Sequence, residues 1–592
     1  MSDPDQLATV VAEWLDALNT GWESQDPAAI SALIEPDGYW KDIVAFTWAY
    51  RMFAGRDEIE RGLKPTLAEV RPRRARIAVD RTAPRLVKRS ARSVIEAYFD
   101  FDTAVGRGTG FVRIPHDPSA PAAPVAWILL TTLQELADAP PRIGEHRPTG
   151  VEFSESFGGD NWLDQRIDRQ TYADRDPQVL VVGGGHSGLI LAARLGLMGV
   201  DVLVVERNAR IGDNWRQRYH SLTLHNEVWA NSMPYMPFPP NWPTFVPKDK
   251  LAGWLEGYAE FMELNVWTGT TFTGADRDEA TGAWTVVLTR PDGTERTIRC
   301  PHLVLATGGS SGVPNMPELP GLDDFRGEVV HSSAFGSGTA WAGRKAIVLG
   351  TGNSGHDVAQ DLHANGAAGV TIIQRSPTCV VSLVPSGTMV YALYSEGPPN
   401  DDIDLVTAAI PYPVLRDTYQ WLTRRTCALD KDLLDRLEAV GFETEFEPDG
   451  TGFHMKYLRR GGGYYIDVGC SELIADGEIA LRHARDIDRF DADGLRFADG
   501  SLVEADLVVL ATGYENLQEG VRRLLGDAIA DRVGPIWGFD DHGAMRNMWM
   551  RTAQPGFWVM GGSLIDARLH STFLALQIAA DLEGLMPAEL VT

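Results

Sequence analysis

Two stretches of this chain impose the same local geometry, and nothing else in the sequence restricts its fold so tightly. "LVVGGGHSG" (residues 180–188) and "IVLGTGNSG" (residues 347–355) each close an apolar strand pattern and open a helical one. Such a turn needs one glycine for the tight reversal, a second where backbone approaches a pyrophosphate, and a third where helix meets strand. Gly183, Gly185 and Gly188 fill these places in the first copy, and Gly350, Gly352 and Gly355 in the second. The helices begin at His186-Ser187 and Asn353-Ser354, where unpaired N–H groups face bound phosphates. A lone glycine pattern says little; strand, turn, helix and second strand in order say much more.

The two copies differ where the second strand ends. "DVLVVE" finishes in Glu206, followed by Arg207, and an acid there accepts hydrogen bonds from ribose hydroxyls. "TIIQRSPT" carries Arg375 and Ser376 instead, and an arginine pairs with a 2′-phosphate that an acid would repel. Two different dinucleotides are therefore expected, FAD at the first turn and NADPH at the second, because hydride passes from nicotinamide to flavin. Two further strand runs end in Ala-Thr-Gly, at 306–308 and 511–513, and mark where the chain crosses between the nucleotide units. Thr307, Gly308, Thr512, Gly513 and Tyr514 join the expected cofactor residues there, with Asn214 and Trp215 of "GDNW" beside the flavin.

A chain of 592 residues is too long for one core and suggests roughly three to four domains. Its net charge of −27, from 54 basic and 81 acidic residues, argues against nucleic acid or an anionic membrane as partner. No apolar run reaches the roughly 18 residues of a spanning helix, and "MSDPDQLATVV" has no secretory pattern, so a cytoplasmic enzyme is expected. The four cysteines are scattered, without metal or dithiol spacing, and no metal site is expected.

Before residue 145 the pattern changes. "VVAEWLDAL" sets Val10, Val11, Trp14, Leu15 and Leu18 on one helical face, and a second short helix is read around Ile30, Leu33 and Ile34. "RARIAV", "SVIEAYFDF", "GTGFVRI" and "VAWILLTTLQEL" read as strands, with "HDPSAPAAP" as a hairpin loop. Helices followed by an antiparallel sheet make an α+β unit. Trp40 and Asp42 either line a cone-shaped pocket or serve as a packed tryptophan and a capping aspartate, the second being the plainer reading. The expected division is an α+β domain over 1–145, a linker over 146–176, a flavin domain over 177–340, an NADP domain over 341–490, and a return to the flavin domain over 491–592.

From about 176 onward the chain resembles class B flavin-containing monooxygenases. "FRGEVVHSSAF" matches that family's identifying pattern through Phe325, Gly327, His331 and Phe335, and "YHSLTLH" and "PYMPFPPNWP" resemble its YUCCA-like indole-3-pyruvate group. The N-terminal unit resembles the NTF2-like (SnoaL-like) cone fold. The resemblance implies an α/β fold with two Rossmann-type domains behind that cone. It also implies a monooxygenase that inserts one atom of O2 into a small organic substrate through a C4a-hydroperoxyflavin. Oxidation at nitrogen or sulfur and decarboxylation of an α-keto acid all fall within it. The alternatives are Baeyer–Villiger oxygenation of ketones and an NADPH-dependent flavin reductase or electron-transfer flavoprotein. The Baeyer–Villiger relatives end the identifying pattern in tryptophan, whereas this chain has Phe335. Expected partners are the substrate and O2, with no nucleic acid, no membrane span, and a homodimer as one assembly. By resemblance the catalytic candidates are His225 or Asn226 at the flavin, Asn353 in the NADP turn, and His331 in the identifying pattern, the last as a support for interdomain geometry.

Overall fold

In the computed structural model, residues 4–117, 123–150, 158–308 and 312–587 are described. The chain begins with the helix Pro4–Glu23, which buries Leu7, Val11, Trp14, Leu15, Leu18 and Trp22 along one stripe. Asp26 caps the next helix, Pro27–Ala32, by accepting hydrogen bonds from the Ala28 and Ala29 amides. That helix is shorter than the sequence pattern suggested, because Ile34 already belongs to a strand, Ile34–Ile43. A second strand, Tyr50–Ala54, and a third helix, Arg56–Val70, also precede the strands read from sequence. The result is a seven-stranded sheet in the order 50–54, 34–43, 126–136, 106–115, 92–102, 73–77, with 85–89 also paired to 92–102. The 34–43 strand runs parallel to 126–136, and the other neighbours are antiparallel. The loop expected at "HDPSAPAAP" falls partly outside the described residues.

The concave interior of this unit is filled by its own chain. Asp42 is fully buried and takes hydrogen bonds from the Phe46 and Thr47 amides and the Thr47 and Thr131 hydroxyls, at 2.7–3.1 Å. Those bonds fold residues 44–47 inward, where Phe46 packs edge-on against Trp40 at 5.3 Å. The expected alternative of a pocket lined by Trp40 and Asp42 is thereby corrected: both are packed core residues, Trp40 donating to Thr131 Oγ1 at 2.9 Å.

The stretch read as a plain linker contains a helix, Trp162–Thr171, opened by an Asn161/Asp164 capping box. Two parallel five-stranded sheets follow. The first runs 265–267, 202–205, 179–182, 302–305, 557–559, and the second 328–331, 507–510, 345–349, 369–374, 480–483. Each has its glycine turn between the central strand and the first helix, His186–Leu197 or Asn353–Ala364. The repeat goes further than the fingerprints. In both units a three-stranded antiparallel meander (271–300 and 487–504) precedes the strand that ends in Ala-Thr-Gly. The strands 328–331 and 507–510 belong to the second sheet, so that unit extends past the 341–490 boundaries at both ends.

The helix Leu564–Leu582 ties the molecule together. Its apolar faces pack on His186–Leu197 and on the N-terminal sheet, with Phe573, Leu576, Ala579 and Ala580 in the core of the N-terminal unit. Its buried Arg568 pairs bidentately with Asp404 at 2.7 Å and donates to the Ala230 carbonyl, so the charge is both matched and hydrogen-bonded.

Candidate active site

Close packing explains why each turn needs its glycines. A Cβ on Gly183 (φ +114°) would sit 2.4 Å from the Ala306 carbonyl, and one on Gly188 2.1 Å from the Gly183 carbonyl. The second turn repeats this: Gly350 (φ +117°) meets the Ala511 carbonyl at 2.3 Å, and Gly355 the Gly350 carbonyl at 2.0 Å. The alanine of each Ala-Thr-Gly segment is therefore what crowds its glycine turn, and Thr307-Gly308 and Thr512-Gly513 follow directly at the rim. A Cβ on Gly185 or Gly352 would meet no backbone within 3.4 Å, which leaves these amides open to a close ligand.

Around the first turn, Glu206 is buried and accepts hydrogen bonds from the Gly184 and Asn208 amides at 2.8 Å. Asn214 lies against Gly185, Trp215 sits 6.4 Å from His186, and Arg207 is exposed beside Glu206. His186 Nε2 bonds the Gly562 carbonyl at 3.0 Å. Two buried atoms here, Trp215 Nε1 and His186 Nδ1, have no hydrogen-bond partner among the described residues. Buried polar atoms are rarely left alone, so a donor, an acceptor, open amides and an acid at one turn fit a flavin dinucleotide.

At the second turn, Gln374 is buried and locked to the Glu443 backbone by two hydrogen bonds, while Arg375 and Ser376 are exposed at the strand end. Arg375 forms no ion pair among the described residues. Asn353 Oδ1 accepts from the Ile466 amide at 2.8 Å, which docks the strand Tyr464–Asp467 on the helix start. His331 donates from Nε2 to the Gly513 carbonyl at 3.0 Å and accepts at Nδ1 from the Ser333 amide. Both ring nitrogens are thus occupied, and Tyr514 packs edge-on at 5.2 Å. Residues 313–315 pair with 513–515, so the two passages of the chain between the units lie side by side. Tyr219 adds a third tie, donating to Asp357 at 2.5 Å.

Between the units lies a cleft that the fingerprints do not reveal. Tyr457 donates to Asp566 at 3.0 Å and packs on Trp537 at 5.4 Å. Trp537 meets Trp549 at 6.1 Å, Trp549 stacks on His570 at 3.9 Å, and His570 lies one helical turn from Asp566. The chain of rings thus closes on itself. Tyr391, Tyr419 and His454 extend it, with His454 5.1 Å from Tyr419. The Asn226 side chain faces the Tyr391 hydroxyl and opposes part of the upward shift that burial gives it. All of these except Trp537 and Trp549 keep some accessible surface. Desolvation nonetheless pushes His225 and His454 down to about 4 and His570 to about 3. It also raises Asp566 and the three tyrosines. Accessible groups with such burial line a deep, low-dielectric cleft. Trp537 (φ +77°) and Trp549 (φ +61°) hold left-handed backbone, costly for bulky residues. Their indoles are pinned to the Tyr457 and Gly561 carbonyls.

The flavin-binding monooxygenase-like family (FMO-like) matches residues 176–395. Indole-3-pyruvate monooxygenase YUCCA1 of Oryza sativa subsp. japonica is 32% identical over 345 residues, covering 57% of this chain and 77% of that protein. The chain belongs to this family. A second relative, the probable indole-3-pyruvate monooxygenase YUCCA4 of Arabidopsis thaliana, is also 32% identical, over 57% of this chain and 76% of its own length. Two solved structures share the fold at a TM-score of 0.51. One is an oxidized steroid monooxygenase bound to NADP (20% identical, 69% of this chain and 85% of that one). The other is a cyclohexanone monooxygenase mutant from Rhodococcus sp. Phi1 bound to NADP+ (18% identical, 69% and 86%).

In this flavin monooxygenase the structure gathers the residues expected at the first turn into one rim, and those of the second turn into another. His331 and Asn353 are engaged in holding elements together. Of the pair His225 and Asn226, adjacent on the strand Thr223–Glu227, Asn226 is the one whose side chain faces Tyr391. Sequence reading missed the ring of Tyr457, Trp537, Trp549, His570 and Asp566. Its one sequence signal was "SLIDARLH", a capping box that includes Asp566 with His570 four residues on, in a largely apolar helix.

Proposed function

We propose that this protein is an FAD-containing, NADPH-dependent monooxygenase that delivers one oxygen atom to a small aromatic substrate held in the cleft. One observation carries the reading: two crowded glycine turns, one ending in the buried acid Glu206 and the other in the exposed Arg375, flank a deep aromatic cleft. Gly185, Trp215, His186 and Glu206 would hold the flavin, and Gly352, Ser354, Arg375 and Ser376 the phosphorylated nucleotide. Bound flavin would supply hydride acceptance and activation of O2. The chain's own contribution is positional. Neutral His225 and His454, with protonated Tyr391 and Tyr457, add no charge of their own to the cleft wall. Tyr457 O–H is fixed on Asp566, and the Trp537–Trp549 pair excludes water, which strengthens every polar contact inside. His331, with both nitrogens bonded, maintains the crossing between units. The N-terminal unit is read as an NTF2-like domain packed as a wall, the boundaries stand near 145 and 176, and the acidic surface suits a cytoplasmic enzyme. What supports an α-keto acid such as indole-3-pyruvate is the name of the relatives together with this aromatic lining.

The test is purification followed by turnover under 18O2. A yellow protein, bleached by NADPH faster than by NADH, should transfer one labelled atom to product and one to water. A colourless protein, or one that consumes NADPH and passes both electrons to a carrier without labelling any product, overturns the proposal.

A further inference from the structure

The strand pair at the edge of the N-terminal sheet faces two ways. Side chains alternate along a strand, so Trp40 and Asp42 enter the filled core while Tyr39 and Lys41 point outward. Ile43 pairs with Tyr50, and Lys41 with Met52, on that outward face. It lies against the C-terminal helix and the turn at Ile410. Tyr50 OH and His570 Nδ1 are hydrogen-bonded at 3.0 Å, and burial keeps His570 neutral. Lys41 Nζ donates to the Ile410 carbonyl at 3.2 Å, and its charge is felt at His570. No carboxylate lies within ion-pair distance of Lys41 among the described residues. Burial alone acts on its ammonium and brings it down to about 8. Desolvated ammonium groups are normally paired; this one keeps some accessible surface, meets a single carbonyl, and its charge reaches His570 of the ring.

We propose that Lys41 is the anion anchor of the substrate cleft, so that the preferred substrate is an aromatic carboxylate whose acid group meets Lys41 and whose ring enters the tyrosine-lined part. The proposal rests on the monooxygenase reading for what happens to the substrate, and adds which chemistry is selected and by which residue. Lys41 lies outside the 176–395 family match, so the N-terminal unit would bring a specificity element of its own. Arg568, a buried cation of this region, is already matched by Asp404 and unavailable.

The experiment compares phenylacetate with phenylacetamide, which differ in charge and hardly in shape, by calorimetric titration of the purified holoprotein. The acid should bind at least tenfold more tightly at pH 7. The advantage should shrink above pH 8 as the ammonium loses its proton. Tyr39 and Tyr50, the titratable groups facing Lys41 besides neutral His570, are both held above their usual value and stay protonated there. Lys41→Met should abolish the advantage and Lys41→Arg should keep part of it. Equal binding of the two probes, binding of neither, or a preference that persists in Lys41→Met overturns the proposal. The pH series on the unmodified protein decides the matter even if a variant fails to fold. Flavin content and bleaching by NADPH are read first: their absence defeats the function proposed above, whereas their presence without an acid preference defeats only the role of Lys41.

Discussion

At the scale of single residues, the sharpest contrast is between Glu206 and Arg375. Both end the second strand of a glycine-turn unit, yet one is buried under two amides and the other stands exposed with no ionic partner among the described residues. A charged hydrogen bond to a phosphate contributes about 1.5–3 kcal/mol. Arg375→Gln should therefore lower kcat/KM for NADPH by roughly ten- to a hundredfold, since about 1.4 kcal/mol is a factor of ten, while the value for NADH stays within about twofold. Steady-state kinetics with the two nucleotides checks this, and an unchanged preference would move the phosphate site elsewhere. The contrast was legible in the sequence because strand, turn and terminal residue are local and fixed in order. Asp42 was less legible, since a buried aspartate reads alike whether it caps a loop or lines a pocket.

At the scale of elements, each unit is a parallel sheet whose turn is pressed against its own Ala-Thr-Gly segment. An added methyl on Gly355 would have to displace the Gly350 carbonyl from 2.0 Å, and one on Gly188 the Gly183 carbonyl from 2.1 Å. Overpacking of this kind costs about 1–3 kcal/mol or more. Gly355→Ala should give a protein that is still yellow but reduced by NADPH only at high concentration. Gly188→Ala should give one that loses flavin, and absorbance at purification with anaerobic reduction separates the two. The cleft makes a different prediction. His225, His454 and His570 are held neutral, about 4, 4 and 3 against an ordinary 6.5. Below pH 6.5 the unfolded chain takes up protons that the folded one refuses, so these groups support the fold above that pH and lose it as pH falls toward 4. Thermal unfolding should weaken steadily over that range, and His454→Phe should flatten the slope by up to about 1 kcal/mol per pH unit. The meanders and the cleft escaped sequence reading for physical reasons. "TFTGADR" and "ERTIRC" are short and mostly polar, and the cleft is assembled from residues as distant as Tyr391 and His570. No local pattern connects them.

At the scale of the whole molecule, the N-terminal unit is bound to the rest through both charge and apolar surface. Arg85 and Arg89 are shared between Glu96 of their own sheet and Glu396 beyond it. Arg81 and Thr82 hold Asp402, and Phe573 and Leu576 enter the unit's core. The unit and the body should therefore unfold together, in one calorimetric transition. Asp402→Ala with Glu396→Ala should split that transition or lower it by several degrees. Removing residues 1–145 should yield aggregated protein, because it bares the apolar side of the C-terminal helix; light scattering after expression would show it. A soluble, monomeric remainder with normal flavin would mean the unit is an ornament.

The loop that Asp42 folds inward has a consequence for how this architecture can be reused. A hollow module can be carried to a new host and still capture its guest, but one stoppered by Phe46 has only its outer rim to offer. Grafted elsewhere, it would recognise nothing by itself. Its outer face acts only where it is laid against the particular helix that carries Asp566 and His570, and the two must change in step or not at all.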